Sequence, residues 1–118
     1  MNKLRQGQQH EQLAQQFLSR QGHKILAQNF FCKGGELDLV TLDHQTLVFI
    51  EVKYRANAYH GHPSEFVNAT KQQRLQRCAQ VFLQSHPQYQ QYEMRFDVLS
   101  FLADNPTPLW LKNAFGGW

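Results

Sequence analysis

The run Leu47-Val48-Phe49-Ile50-Glu51-Val52-Lys53-Tyr54 sets the tightest limit on what this chain can fold into. Side chains alternate faces along a strand, so Leu47, Phe49, Glu51 and Lys53 project to one side and Val48, Ile50 and Val52 to the other. A strand apolar on both faces belongs in the middle of a sheet that is covered on both sides. Its closing charges then need a reason. A carboxylate and an ammonium at the end of a central strand carry a heavy desolvation cost unless each is paired, hydrogen-bonded or holding a metal.

Around that strand the order of elements can be read from periodicity. Residues 3 to 21 repeat with a helical period that puts Leu4, Gly7, Glu11, Ala14 and Leu18 on one stripe, with Leu13 and Phe17 beside it and Gly22 as the stop. Three strand-like runs follow, Ile25 to Phe31, Glu36 to Leu42 and Leu47 to Tyr54, the last two joined as an antiparallel hairpin through Asp43-His44-Gln45. Residues 56 to 63 read as a loop, and Ser64 as the N-cap of a second helix reaching about Gln84, with Val67, Lys71, Leu75, Cys78 and Phe82 on one stripe. Met94 to Leu102 is a fourth strand and Leu109 to Leu111 a short fifth one, with residues 113 to 118 as a tail. The predicted architecture is one α/β domain over residues 1–118, a mixed sheet flanked by helices in the order α-β-β-β-α-β-β.

No stretch approaches the roughly 18 continuous apolar residues of a membrane span, so a membrane partner is not expected. The polar, Gln-rich start has no apolar region of the kind a secretory leader needs, which points to the cytoplasm. In that reducing compartment Cys32 and Cys78, far apart and outside any Cys-x-x-Cys spacing, are expected as core thiols, with neither a zinc site nor a disulfide. The net charge of +3 is small but uneven: between Lys53 and Tyr92 stand Lys53, Arg55, Lys71, Arg74 and Arg77 against Glu65 alone. A phosphate-facing patch has this composition, and so has a solvated helix face.

Asp38 lies on the strand paired with Glu51, on the face shared by Glu36 and Val40, and the turn near His44 brings the two carboxylates alongside each other. Such a pair is held by a shared proton, a basic neighbour or a divalent cation. Mg²⁺ takes oxygen ligands, usually one or two carboxylates completed by waters and a substrate phosphate, and the Val52 carbonyl could add another. Lys53 can orient or help deprotonate an attacking water, or neutralise charge developing on a phosphate. The competing reading is a buried Asp-Lys-Glu ion network that fixes hairpin register. Glu11 sits on the inward stripe of the first helix where an apolar residue is expected; it is a further carboxylate for the cluster, or a Glu snorkelling from a partly exposed stripe.

Several neighbours carry weaker signals. Glu36 supports Asp38 or stabilises the strand entrance. Arg55 continues the Lys53 face, either as a bidentate phosphate clamp or as half of a surface ion pair. Lys71, on the apolar stripe of the second helix, either reaches the scissile phosphate or the acidic cluster, or covers core with its stem. Arg74 is a candidate nucleic-acid contact on the same helix. His60-Gly61-His62 lacks a convincing third ligand for a metal and reads better as a substrate-contacting loop. Asp97 has no chemical role and is expected in an ion pair with Arg95 or a residue of the first hairpin, and Trp110 and Phe115 are expected as packing residues.

Gly35-Glu36-Leu37-Asp38-Leu39-Val40 followed by Val48-Phe49-Ile50-Glu51-Val52-Lys53-Tyr54-Arg55 resembles the signature of the PD-(D/E)XK nuclease superfamily. The likeness is closest to the YraN-type bacterial family of uncharacterised proteins, which is similar in turn to archaeal Holliday junction resolvases. It extends through the first helix, the segment Lys71 to Phe82, the strand around Arg95-Phe96-Asp97-Val98 and the ending Asn113-Ala114-Phe115; Leu37 stands where the superfamily name has proline. The resemblance implies a restriction-endonuclease-like fold, Glu11, Asp38 and Glu51 as acidic residues with Lys53 as the active-site lysine, Mg²⁺ (or Mn²⁺) as cofactor and a nucleic-acid phosphodiester, DNA in the first instance and branched DNA among its forms, as substrate. It also implies a symmetric homodimer for paired incisions. The rival expectations are a nucleic-acid-binding module with little turnover and a protein whose charges only hold the hairpin together.

Overall fold

In the computed structural model, residues 3–55, 68–103 and 105–115 are described, without the side chains of 3–8. The elements are α1 (Lys3–Arg20), β1 (Lys24–Cys32), β2 (Gly35–Asp43), β3 (Thr46–Arg55), α2 (Ala69–Ser85), a 3-10 turn (Pro87–Tyr89), β4 (Glu93–Leu102) and β5 (Leu109–Phe115). The α-β-β-β-α-β-β order of the sequence reading is the order found. The strands lie side by side as β1-β2-β3-β4-β5, with β3 and β4 parallel and every other pair antiparallel. The parallel pair needs a crossover, and α2 supplies it.

β3 is the middle strand, and its two apolar faces feed two cores. Leu47 and Phe49 pack with Leu75, Cys78, Ala79 and Phe82 of α2, together with Phe96, Val98 and Phe115. Val48 and Ile50 pack with Ala14 and Leu18 of α1, together with Leu39, Leu99 and Phe101. Ala14 and Leu18 are fully buried while Leu13 and Phe17 flank them, as the α1 stripe predicts. α1 stops where Gly22 adopts φ +88, a left-handed value that costs glycine little, and His23 N donates to Leu18 O at 2.9 Å to close the last turn. Among the described residues no helix is long and apolar enough to cross a membrane.

Three expectations need correction. Asn68, not Ser64, caps α2, its side chain accepting from Lys71 N at 2.9 Å; Ser64, Val67 and the loop 56–63 with His60 and His62 lie outside the described residues. β5 continues past Leu111 to Phe115, whose ring stacks on Phe96 with centroids 4.4 Å apart, so residues 113–115 belong to the sheet and only 116–118 fall outside the described residues. Cys32 and Cys78 are joined in a disulfide, their Cα atoms 5.5 Å apart, in place of the predicted free thiols. The end of β1 meets the middle of α2 only through tertiary packing, which a separation of 46 residues hides.

Asp97 is the anchor of a buried polar network. Its carboxylate accepts from Arg95, from Trp110 Nε1 at 2.8 Å and from Asn113 N at 2.9 Å, and Arg95 reaches on to Asp43 at 3.3 Å. The expected Arg95 pairing is therefore present. His23 closes the network from the other side, with Nδ1 bonded to Thr41 Oγ1 at 2.8 Å and Nε2 3.6 Å from Asp43. Burial pushes the His23 pKa down against the attraction of Asp43, so the ring is neutral in the fold. The unfolded chain takes up that proton near the ordinary 6.5, and the His23 contribution to stability falls as pH drops below this value. Over pH 7 to pH 5, urea titrations should show His23→Gln gaining stability relative to the wild type as pH falls, because only the wild type carries this contribution, and a difference between the two that stays constant with pH would refute it.

Candidate active site

The site arises where β2 and β3 part. Their pairing runs from Asp43↔Thr46 to Leu39↔Ile50 and stops there, although β2 begins at Gly35 and β3 continues to Arg55. Strict alternation also slips at this point: Leu37 packs in the α2-side core and Leu39 in the α1-side core. On the other neighbour, β1 pairs Gln28 with Leu39 and Phe30 with Leu37, leaving Asn29 at φ +51 opposite Asp38. Asp38 thus stands at an irregularity in both flanking ladders. Its Oδ2 accepts from Val52 N at 2.8 Å and satisfies the amide that the ended ladder leaves over.

The notch between the parted strands is a cavity of about 560 Å³. Gly34, Gly35, Glu36 and Asp38 form its β2 wall, Glu51 its β3 wall, and Asn68, Thr70, Lys71, Arg74 and Leu75 of α2 close the third side. Glu51 follows Phe49 on the α2 side of β3, as alternation predicts. Lys53 Nζ lies 3.0 Å from Glu51 Oε1, and Lys71 Nζ lies 2.7 Å from the same oxygen. Of the two readings of Lys71, the one that reaches the acidic cluster is the one found.

The charges are mutually strained. Burial and the neighbouring Glu51 carboxylate push the Asp38 pKa up from 3.8 to about 7, against the stabilising bond from Val52 N; Glu36 and Glu11 add smaller upward pushes. Burial presses the Lys53 pKa down, but the attraction of the Glu51 carboxylate at 3.0 Å, with Asp38 behind it, outweighs that and leaves it raised. For Lys71 burial wins, despite Glu51, and the pKa is lowered.

Not every candidate joins the cluster. Glu11 is held on the α1 side, where Asn29 Nδ2 donates to its Oε2 at 3.0 Å. It is near enough to act on Asp38 through its charge but is not part of the cavity wall. Among the described residues no three His, Cys, Asp or Glu groups form a metal-holding set. The donor pair Asp38 and Glu51 still fits a hard cation, since Mg²⁺ commonly takes only one or two carboxylates and fills its remaining positions with water and phosphate. Arg55 ends β3 and does not line the cavity, whereas Arg74 and Glu36 do.

Sequence reasoning missed Asn68, Thr70 and Ser100. Asn68 three residues before Lys71 is an N-cap signal that competes with Ser64, and choosing it would have placed the first turn of α2 at the site. Ser100 is paired in register with Lys53, and its buried hydroxyl has no hydrogen-bond partner among the described residues. Nothing in a lone serine within an apolar strand signals that position.

A profile of the uncharacterised protein family UPF0102 matches residues 10–101, a span that includes Glu11, Asp38, Glu51, Lys53 and Lys71. A UPF0102 protein of Pseudomonas putida is 46% identical over 114 residues, covering 94% of this chain and 93% of that one. A UPF0102 protein of Francisella tularensis is 43% identical over 117 residues, covering 98% of each.

Proposed function

The chain belongs to the UPF0102 family, and from that premise and the acid–lysine notch we propose that it is a divalent-cation-dependent endonuclease of the PD-(D/E)XK type, cleaving phosphodiester bonds in DNA. The observation that carries this reading is the cavity in which Asp38 and Glu51 face the basic first turns of α2, with Lys53 on Glu51. Asp38 and Glu51 hold Mg²⁺ or Mn²⁺, and Glu11 tunes Asp38 from the far side of the sheet through its charge. When bound, the cation supplies neutralisation of phosphate charge and activation of water.

Lys53, whose ammonium pairs with Glu51 at 3.0 Å, is read as stabilising negative charge on the attacked phosphate. Lys71 and Arg74 contact phosphates from the α2 wall, and Arg55 contacts the strand further along. The second reading, a binding module without turnover, draws on the two ammonium groups that already engage Glu51.

Cleavage assays with Mg²⁺ or Mn²⁺ on single-stranded, duplex and four-way-junction DNA, with matching RNAs, decide between them. The nuclease reading expects cation-dependent products on at least one DNA, lost in Glu51→Gln. Lys53→Ala is expected to slow cleavage about 100-fold or more while DNA affinity changes less than about twofold. Tight binding with no product on any substrate would favour the binding module.

A further inference from the structure

Resting on the cation-dependent reading above, we propose that Lys71 is a displaceable counter-ion: it occupies Glu51 in the cation-free protein and, when a divalent cation takes that oxygen, transfers its charge to a substrate phosphate in the same cavity. Cation and phosphodiester then bind cooperatively.

The geometry singles out Lys71 over Lys53. Both ammonium groups crowd one oxygen of Glu51, yet one positive charge is enough to balance a single carboxylate. Lys53 comes from β3 itself, two residues beyond Glu51, so its stem stays beside that strand wherever its head group moves. Lys71 comes from α2, the opposite wall, and makes the closer contact across the cavity at 2.7 Å. A cation seated on Asp38 and Glu51 sits within a carboxylate's width of both ammonium groups, and its repulsion weakens that bridge whichever Glu51 oxygen it takes.

The released Lys71 has an anion-favouring surface to return to. Asn68, Thr70 and Arg74 line the same wall, and α2 has no acidic residue in its first turn to offset the positive end of the helix. The cavity of about 560 Å³ has room for a phosphate group and several waters. Without a phosphate, cation entry strands a partly buried ammonium; with one, that ammonium finds a new partner. The loss and the gain are linked, so each ligand raises the affinity of the other by the same factor.

The test is calorimetric titration of Mg²⁺ into the wild type, Lys71→Met, Lys71→Gln, Arg74→Met and Glu51→Gln. Oligonucleotide binding is measured alongside, with a phosphorothioate-linked strand that resists cleavage, with and without Mg²⁺. Both Lys71 variants are expected to bind Mg²⁺ about tenfold tighter than wild type when no DNA is present, and the gain in oligonucleotide affinity caused by Mg²⁺ is expected to shrink by a similar factor. Arg74→Met removes a cation from the same wall without releasing Glu51, so it should move Mg²⁺ affinity less than about twofold. Unchanged or weaker Mg²⁺ binding in folded Lys71→Met and Lys71→Gln, with binding abolished in Glu51→Gln, would overturn the counter-ion role and leave the nuclease reading standing. Equal tightening in Arg74→Met would likewise overturn it, since a general field would then explain the effect. No Mg²⁺ binding to any variant would overturn both.

Discussion

Replacing Asp97 by alanine is expected to cost about 3–5 kcal/mol of folding stability, because it strands a partly buried guanidinium, an indole N–H and a backbone N–H at once. The Asp97 side chain is fully buried and serves Arg95, Trp110 Nε1 and the backbone of Asn113. The last of these bonds is structural in a specific way. β4 pairs Phe96 with Phe115 and Val98 with Leu111, so β5 carries extra residues opposite Asp97, and Asn113 within that bulge adopts φ +52. The carboxylate substitutes for the ladder bond that the bulge removes, and without it β5 loses its attachment at mid-strand. A loss of this size lowers the melting midpoint by about 10–20 °C for a chain of this length. Asp97→Asn keeps one carbonyl acceptor for Trp110 or Asn113 and should lie between the two. Urea unfolding of the three proteins measures this, and an alanine variant within about 1 kcal/mol of wild type would show that the network is not holding β5.

The elements that were legible in the sequence are those whose signal is local. β3 shows why: apolar residues on both faces require a central position, and Thr46–Arg55 is indeed flanked by β2 and β4, with a helix over each face. The α1 stripe and the Gly22 stop follow from the helical period and from glycine's freedom at positive φ. Features that depend on two distant segments meeting were not legible. The Cys32–Cys78 disulfide and the attachment of Glu11 to Asn29 depend on where a helix lands on the sheet, and for the same reason the contact of Lys71 with Glu51 stood only as one of two readings. The notch itself is a third kind of feature. Uniform alternation predicts that β2 and β3 stay paired through Asp38, and nothing in Gly35-Glu36-Leu37-Asp38 states that the ladder ends at Leu39. That Asp38 and Glu51 line one cavity was foreshadowed by the charge anomaly in an apolar hairpin.

Asp38→Asn should make the protein more stable and less capable. In the fold the Asp38 pKa is about 7 against an ordinary 3.8, so as pH rises through this window the unfolded chain loses its proton first and the native state holds on to its own. The native state then binds more protons, and by linkage the Asp38 contribution to wild-type stability falls between about pH 4 and pH 7, by an amount on the order of 4 kcal/mol if the whole shift is expressed. Asparagine is neutral throughout and still offers a carbonyl oxygen to Val52 N, so the variant lacks this slope. The two proteins should be nearly equal in stability at pH 4 and farthest apart above pH 7, with the variant ahead, when unfolding is followed with a chelator present. Adding Mg²⁺ at pH 8 should then narrow the gap, because a cation held by Asp38 and Glu51 offsets the repulsion that raised the pKa and stabilises only the protein able to bind it. A variant less stable than wild type at pH 8 would mean that burial and repulsion at Asp38 are outweighed by contacts only the carboxylate can make. A stability gap that ignores Mg²⁺ would instead assign the strained acid pair to the architecture of the hairpin and remove its link to cation-dependent chemistry.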